Sequence, residues 1–176
     1  GDLNLNPASN IALGNRFITG VAYPSADQDA ASKVYVDNMV STQLSYHQAV
    51  SVATIANLAT TTGGTITYNQ PNGAANGVGA TITTTGSFNL IDTANVQTAN
   101  TRILVKNEGN AVYNGVYTWA NATNLIRSTD TNTYGTVPNT LSLNDYFFVS
   151  AGNVNAGTSW VVNAPTGTIT FGTSSI

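Results

Sequence analysis

Residues 102–127, RILVKNEGNAVYNGVYTWANATNLIR, decide the fold class of this chain. Arg102–Lys106, Gly115–Trp119 and Asn124–Arg127 are short runs rich in Val, Ile, Leu, Tyr, Thr and Trp, and Asn and Gly separate them. Runs of this length and composition bounded by turn residues are strand signals, and none is long enough for a buried helix. Asn114-Gly115 is a turn dipeptide because both residues tolerate positive φ, as are Asn72-Gly73 and Asn76-Gly77 further upstream.

Outward from this stretch the same pattern continues. Val50–Ala53, Thr81–Thr85, Asp145–Ser150, Ser159–Val162 and Thr168–Phe171 are further expected strands. Residues 60–79 hold only Ile66, Tyr68 and Val78 as large apolar residues among Gly, Thr and Asn, and read as a long loop or loose hairpin. Many short strands over residues 49–176 predict an antiparallel β-sandwich or small barrel.

Residues 1–48 differ. Residues 1–24 place Leu3, Leu5, Ile11, Leu13, Phe17, Ile18 and Val21 singly between Asn, Gly and Pro, the pattern of an extended arm that needs a partner surface. Residues 25–47 read as the one short α-helix, with Pro24 before it, Ser25 or Asp27 as N-cap, and Val36, Val40 and Leu44 in one stripe. That stripe either docks on the chain's own β domain or forms a seam between chains. The expected organisation is residues 1–48 as an arm and helix for attachment or trimerisation, followed by a β domain over 49–176. Leu3, Leu5, Ile11, Leu13, Phe17, Ile18, Val36, Val40 and Leu44 are the expected interface residues.

Composition narrows the chemistry. The 176 residues are 41% hydrophobic but only 7% charged, and Thr, Asn, Gly and Ser number 27, 23, 16 and 13. Lys+Arg 5 against Asp+Glu 8 gives a net charge of −3, without the basic footprint of a nucleic-acid or anionic-membrane binder. Zero Cys removes disulfides, thiolate metal sites and a Cys nucleophile. No apolar run suits a spanning helix, so no membrane insertion is expected.

Candidate catalytic groups are few. His47 is the one histidine, at the expected helix end, and reads as structural or solvated. Of the carboxylates, Asp92, Glu108, Asp130 and Asp145 fall in the β region, where Asp92 with Glu108 or Asp130 with Asp145 are conceivable pairs for glycoside hydrolysis. Asp130 reads better as a local turn residue and Asp145 as a strand opener. Ligation of Ca²⁺ by Asp130 and the Asn132 carbonyl lacks EF-hand spacing. The expectation is no enzyme, no cofactor and no metal. Tyr68, Tyr113 and Tyr134 sit beside turn residues and are candidate surface contacts for a glycan or a partner protein.

Residues 15–37, NRFITGVAYPSADQDAASKVYVD, resemble a segment that recurs along bacteriophage tail-fibre and related virion proteins. Asn15, Arg16, Pro24, Asp29, Ala30, Ala31, Lys33, Tyr35, Val36 and Asp37 carry the match, with Gly20 where Asn is usual. Residues 52–176 resemble a phage tail β domain through Val52–Leu58, Asn76–Thr83, Arg102–Asn107, Asn114–Tyr117, Arg127–Asp130, Thr158–Val161 and Ile169–Thr173. The resemblance implies a virion structural protein, usually a homotrimer, in a tail fibre or neighbouring appendage beside other virion tail proteins. It implies no catalytic residues, and a spacer or trimerising role for the helix-bearing segment. Relatives usually continue past the position of Ile176 towards a receptor-binding tip, so a shaft or mounting module is expected here. The alternatives are a host-surface glycan-binding adhesin module and a fragment of a polysaccharide-degrading tailspike.

Overall fold

The structure, a computed structural model, describes residues 14–16, 18–26, 28–36, 45–71, 73, 76–135, 140–164 and 167–176. The chain divides into two compact units, Gly1–Ser41 and Thr42–Ile176, so the boundary falls earlier than the expected 48/49.

In the first unit the described residues are mostly without regular structure. Asp29 Oδ2 accepts from the backbone N–H groups of Ser25 and Ala26 at 2.8 and 2.9 Å, closing a turn where the sequence predicts the first turn of a helix. Helical backbone is found at 33–36. Its cap is Ser32, whose Oγ accepts from Tyr35 N while Val36 N donates to Ser32 O. The reason is local: Asp29 and Ser32 both bind backbone donors, and each such bond competes with continuous helix.

The second unit is mainly β, and its helical pieces are short. Its strands are β1 (Ser45–Tyr46), β2 (Val52–Ala53), β3 (Ile66–Asn69), β4 (Thr81–Thr84), β5 (Leu90–Ile91), β6 (Ala94–Asn95), β7 (Arg102–Val105), β8 (Gly115–Asn121), β9 (Asn124–Arg127), β10 (Asp145–Phe148) and β11 (Ser159–Val161). They form a six-stranded sheet in the order β2-β7-β8-β9-β4-β3, a three-stranded sheet β1-β10-β11 and the hairpin β5-β6. The expected strands over 102–127 are in place as β7, β8 and β9, joined antiparallel with Leu104 opposite Val116 and Thr118 opposite Ile126.

The sheets are not purely antiparallel: β1 pairs with β10, and β2 with β7, in parallel. One extended segment makes both pairings. Val50 N donates to Phe148 O, and one residue later Ser51 N donates to Arg102 O, so the chain leaves one sheet and joins the other at 50/51. Ser45 and Tyr46 are therefore strand rather than the end of the expected helix.

Two cores flank the six-stranded sheet. Leu104 and Val116 face Val50, Phe147, Val149 and Phe171, which makes this side a two-sheet sandwich. Ile103, Val105, Tyr117 and Leu125 face the opposite way, against Leu58, Phe88, Ile91 and Val96. Ile103, Leu104 and Val105 of β7 are consequently buried, as expected of a strand covered on both faces, and Arg102 is buried among polar partners instead.

Two departures from the expected map have local causes. Leu58–Thr62 is a helix, α1, capped by Asn57, whose side chain accepts from Thr60 N, and closed by Gly63 in the left-handed region. Residues 66–69 form β3, paired antiparallel along its length with β4, which fits the hairpin alternative for 60–79 and not the long loop. Thr168–Phe171 is not a strand: Ile169 and Phe171 are buried, but Thr170 O accepts from Thr173 N and Ser174 N, which closes a turn.

Candidate functional site

The principal cluster of buried charge joins four separate stretches of the second unit. His47 follows β1, Arg102 opens β7, Asp130 lies in the turn after β9, and Asp145 opens β10. His47 Nε2 lies 2.7 Å from Asp145 Oδ2, and its Nδ1 lies 3.6 Å from Asp130 Oδ2. Arg102 grips Asp130 with both ends of its fork, Nη1 to Oδ1 and Nη2 to Oδ2, each at 2.9 Å. Nη1 also donates to Ser128 Oγ at 2.6 Å and Nη2 to the Gln48 carbonyl at 3.3 Å, while Nε is buried without a hydrogen-bond partner. Ser142 N also donates to Asp145 Oδ2, at 2.6 Å.

Asp130 and Asp145, one beside each ring nitrogen, raise the His47 pKa to about 9. Burial acts to raise the Asp130 pKa, but hydrogen bonds from His47, Arg102 and Ser128 outweigh it and hold that carboxyl below the usual carboxylate range. An imidazole kept protonated at neutral pH is a poor general base. The one hydroxyl bound within the cluster, Ser128 Oγ, donates to Asp130 at 2.5 Å rather than meeting His47. The arrangement is thus a charge clamp across chain segments. His47 is buried, not solvated at a helix end, and Asp130 does more than shape its own turn. Asp145 does open a strand.

The two carboxylate pairs considered from sequence part company here. Asp130 and Asp145 converge on His47, whereas Asp92 and Glu108 have separate partners. Asp92, at φ 47 in the β5–β6 turn, accepts from Val154 N, Asn155 N and the Asn155 side chain. Burial pushes its pKa up, and these hydrogen bonds more than reverse that, leaving it below the ordinary carboxylate range. Glu108 Oε1 accepts from Leu58 N at the start of α1, and its Oε2 accepts from Tyr68 OH. No group of three or more potential metal ligands is found among the described residues, and the Asn132 carbonyl accepts from Gly77 N.

Tyr68 and Tyr113 come together, with ring centroids 3.7 Å apart and planes at 8°. Burial and the Glu108 contact push the Tyr68 hydroxyl pKa up. Each ring thus covers one face of the other, and the pair is a half-buried anchor rather than two separate surface contacts. Tyr134 is exposed and is held through a backbone bridge to Leu141. Of the expected interface residues, Ile18 and Val36 are exposed. Leu3, Leu5, Ile11, Leu13, Phe17, Val40 and Leu44 lie outside the described residues.

Sequence reasoning also missed Arg127. Its guanidinium is fully buried without a carboxylate, donating from Nη2 to the Asn114 carbonyl and Tyr117 OH at 3.1 and 2.7 Å. The rings of Tyr117 and Phe171 lie 4.7 and 5.0 Å from it. A Cβ at Gly115 would collide with Nη1, and one at Gly77 with Cδ, so both glycines make room for this side chain. Asn114-Gly115 is legible as a turn but gives no hint of what its missing side chain accommodates.

Comparison with protein-family models, curated proteins and solved structures yields no match to this chain.

Proposed function

We infer that this chain is a non-enzymatic structural component of a bacteriophage tail fibre or related virion appendage, a homotrimer linking the particle to host-recognition parts. The observation that carries the structural side of this reading is the commitment of the four carboxylates and the histidine of the second unit. Asp92, Glu108, Asp130 and Asp145 all hold the fold together through internal hydrogen bonds, and His47 is clamped between two of them. Catalysis needs an acid, base or nucleophile poised towards a substrate, and these groups point at their own chain instead. The virion side rests on the resemblance of residues 15–37 and 52–176 described above, and the trimer on exposed apolar residues such as Ile18 and Val36 in the first unit.

The test separates the readings. Purified chain is incubated with host capsule or lipopolysaccharide and assayed for new reducing ends, while its mass in solution is measured by sedimentation. The reading predicts a trimer at micromolar concentration and no release above buffer. Release abolished by Asp130→Asn or Asp145→Asn would make it a tailspike fragment, and a persistent monomer would remove the assembly role.

A further inference from the structure

The charges of the second unit leave one accessible cation unmatched. Its four carboxylates are bound internally, His47 and Arg102 are paired with two of them, and Arg127 is sealed between rings. Lys106 has no carboxylate within ion-pair distance among the described residues. Its Nζ lies 4.1 Å above the Trp160 ring and 3.2 Å from Asn107 Oδ1. Burial pushes its pKa down, with Asp92 opposing from a distance, so the ammonium has already surrendered part of its hydration.

Lys106 and Trp160 stand at the mouth of a cavity of about 190 Å³ between the six-stranded and three-stranded sheets. Leu104, Val116, Leu141, Phe147 and Val162 form its apolar floor. An apolar cavity of about 150 Å³ is large enough to take up one benzene, so this one has room for a single small ring or a chain of about six to eight carbons. Apolar walls with one polar group to fix orientation are the usual anatomy of a small-molecule site. A half-buried ammonium at the rim selects the sign of that group.

We propose that this cavity is a binding site for a small amphiphilic anion, an alkyl or aryl carboxylate whose apolar body fills the cavity while its carboxylate pairs with Lys106 beside Trp160. This goes beyond the appendage reading and does not depend on it.

The test uses the two indole N–H signals of ¹⁵N-labelled protein as reporters. Trp160 Nε1 donates to Thr158 Oγ1 at the cavity mouth, and Trp119 Nε1 donates to the Phe88 carbonyl on the other side of the sheet. Titration with sodium octanoate should shift the Trp160 signal saturably at one equivalent per chain and leave Trp119 in place. Octyltrimethylammonium should bind at least tenfold more weakly. Lys106→Met, which keeps the apolar stem, should weaken octanoate about tenfold without changing binding of octan-1-ol, and Lys106→Arg should recover most of the loss. An unmoved Trp119 signal in each variant verifies that it is folded. The proposal fails if octanoate leaves Trp160 unshifted, if Lys106→Met binds octanoate as well as the parent, or if affinity keeps rising from octanoate to dodecanoate.

Discussion

Replacing His47 by Gln should flatten the alkaline limb of the stability profile, and the geometry sets the size of the effect. His47 has its pKa raised from 6.5 to about 9 by Asp130 and Asp145. The folded protein therefore holds this proton more tightly than the unfolded chain does. The resulting stability is fully present below about pH 6.5, falls as pH rises, and is gone once the pH passes about 9. A shift of this size corresponds to at most about 3–4 kcal/mol. Asp130 is 18% exposed, and solvent screening of a partly open pair reduces the working figure to about 1–2 kcal/mol. The assay is urea unfolding of the parent and His47→Gln from pH 6 to 9.5. The variant is less stable throughout, because Asp145 loses its buried partner. The gap between the two proteins should narrow by about 1–2 kcal/mol across that range, and groups common to both cancel in the difference. A gap that stays constant or widens with pH would refute the clamp as described.

Other outcomes follow from the same contacts. Asp92 and Asp130 are held below the ordinary carboxylate range, so their contribution is present above about pH 4 and should disappear as pH falls through their lowered values, visible as an acid unfolding limb. Leu104 and Val105 are both buried, in different cores. Leu104→Ala should cost about 2–4 kcal/mol and Val105→Ala about 2 kcal/mol in the same urea assay, and a neutral result at either would contradict the two-core arrangement. Gly115 has φ 143 and faces the Arg127 guanidinium, so Gly115→Ala should lower stability by about 2 kcal/mol or more. Chelators should leave the melting temperature unchanged, and a drop would expose a metal dependence.

What could be read from the sequence was local, and what could not was long-range. β7, β8 and β9 were legible because apolar and β-branched residues fall between turn dipeptides, and their pairing needs only short loops. Burial on both faces of β7 was not, since Val105 and Leu104 reach cores built by residues far away in the chain. The helix α1 was hidden by its Thr-rich sequence, although Asn57 and Gly63 mark its two ends with ordinary cap residues. Residues 45 and 46 follow a helix-like stripe, yet hydrogen bonding to β10 overrides that preference. The clamp joins His47 to Asp145 across 98 residues of sequence. Nothing in the spacing of either residue announces that contact, which exists because the segment through Val50 crosses between sheets. The aromatic signal at Tyr68 and Tyr113 was correctly placed beside turns, but the turns bring the rings face to face.

The most direct test of the central claim is gold labelling of purified phage particles with an antibody raised against residues 42–176, followed by electron microscopy. The account predicts label on a fibre or neighbouring tail appendage, at copy numbers in multiples of three. Particles that carry no label, with the chain recovered only from the soluble fraction of infected cells, would contradict it.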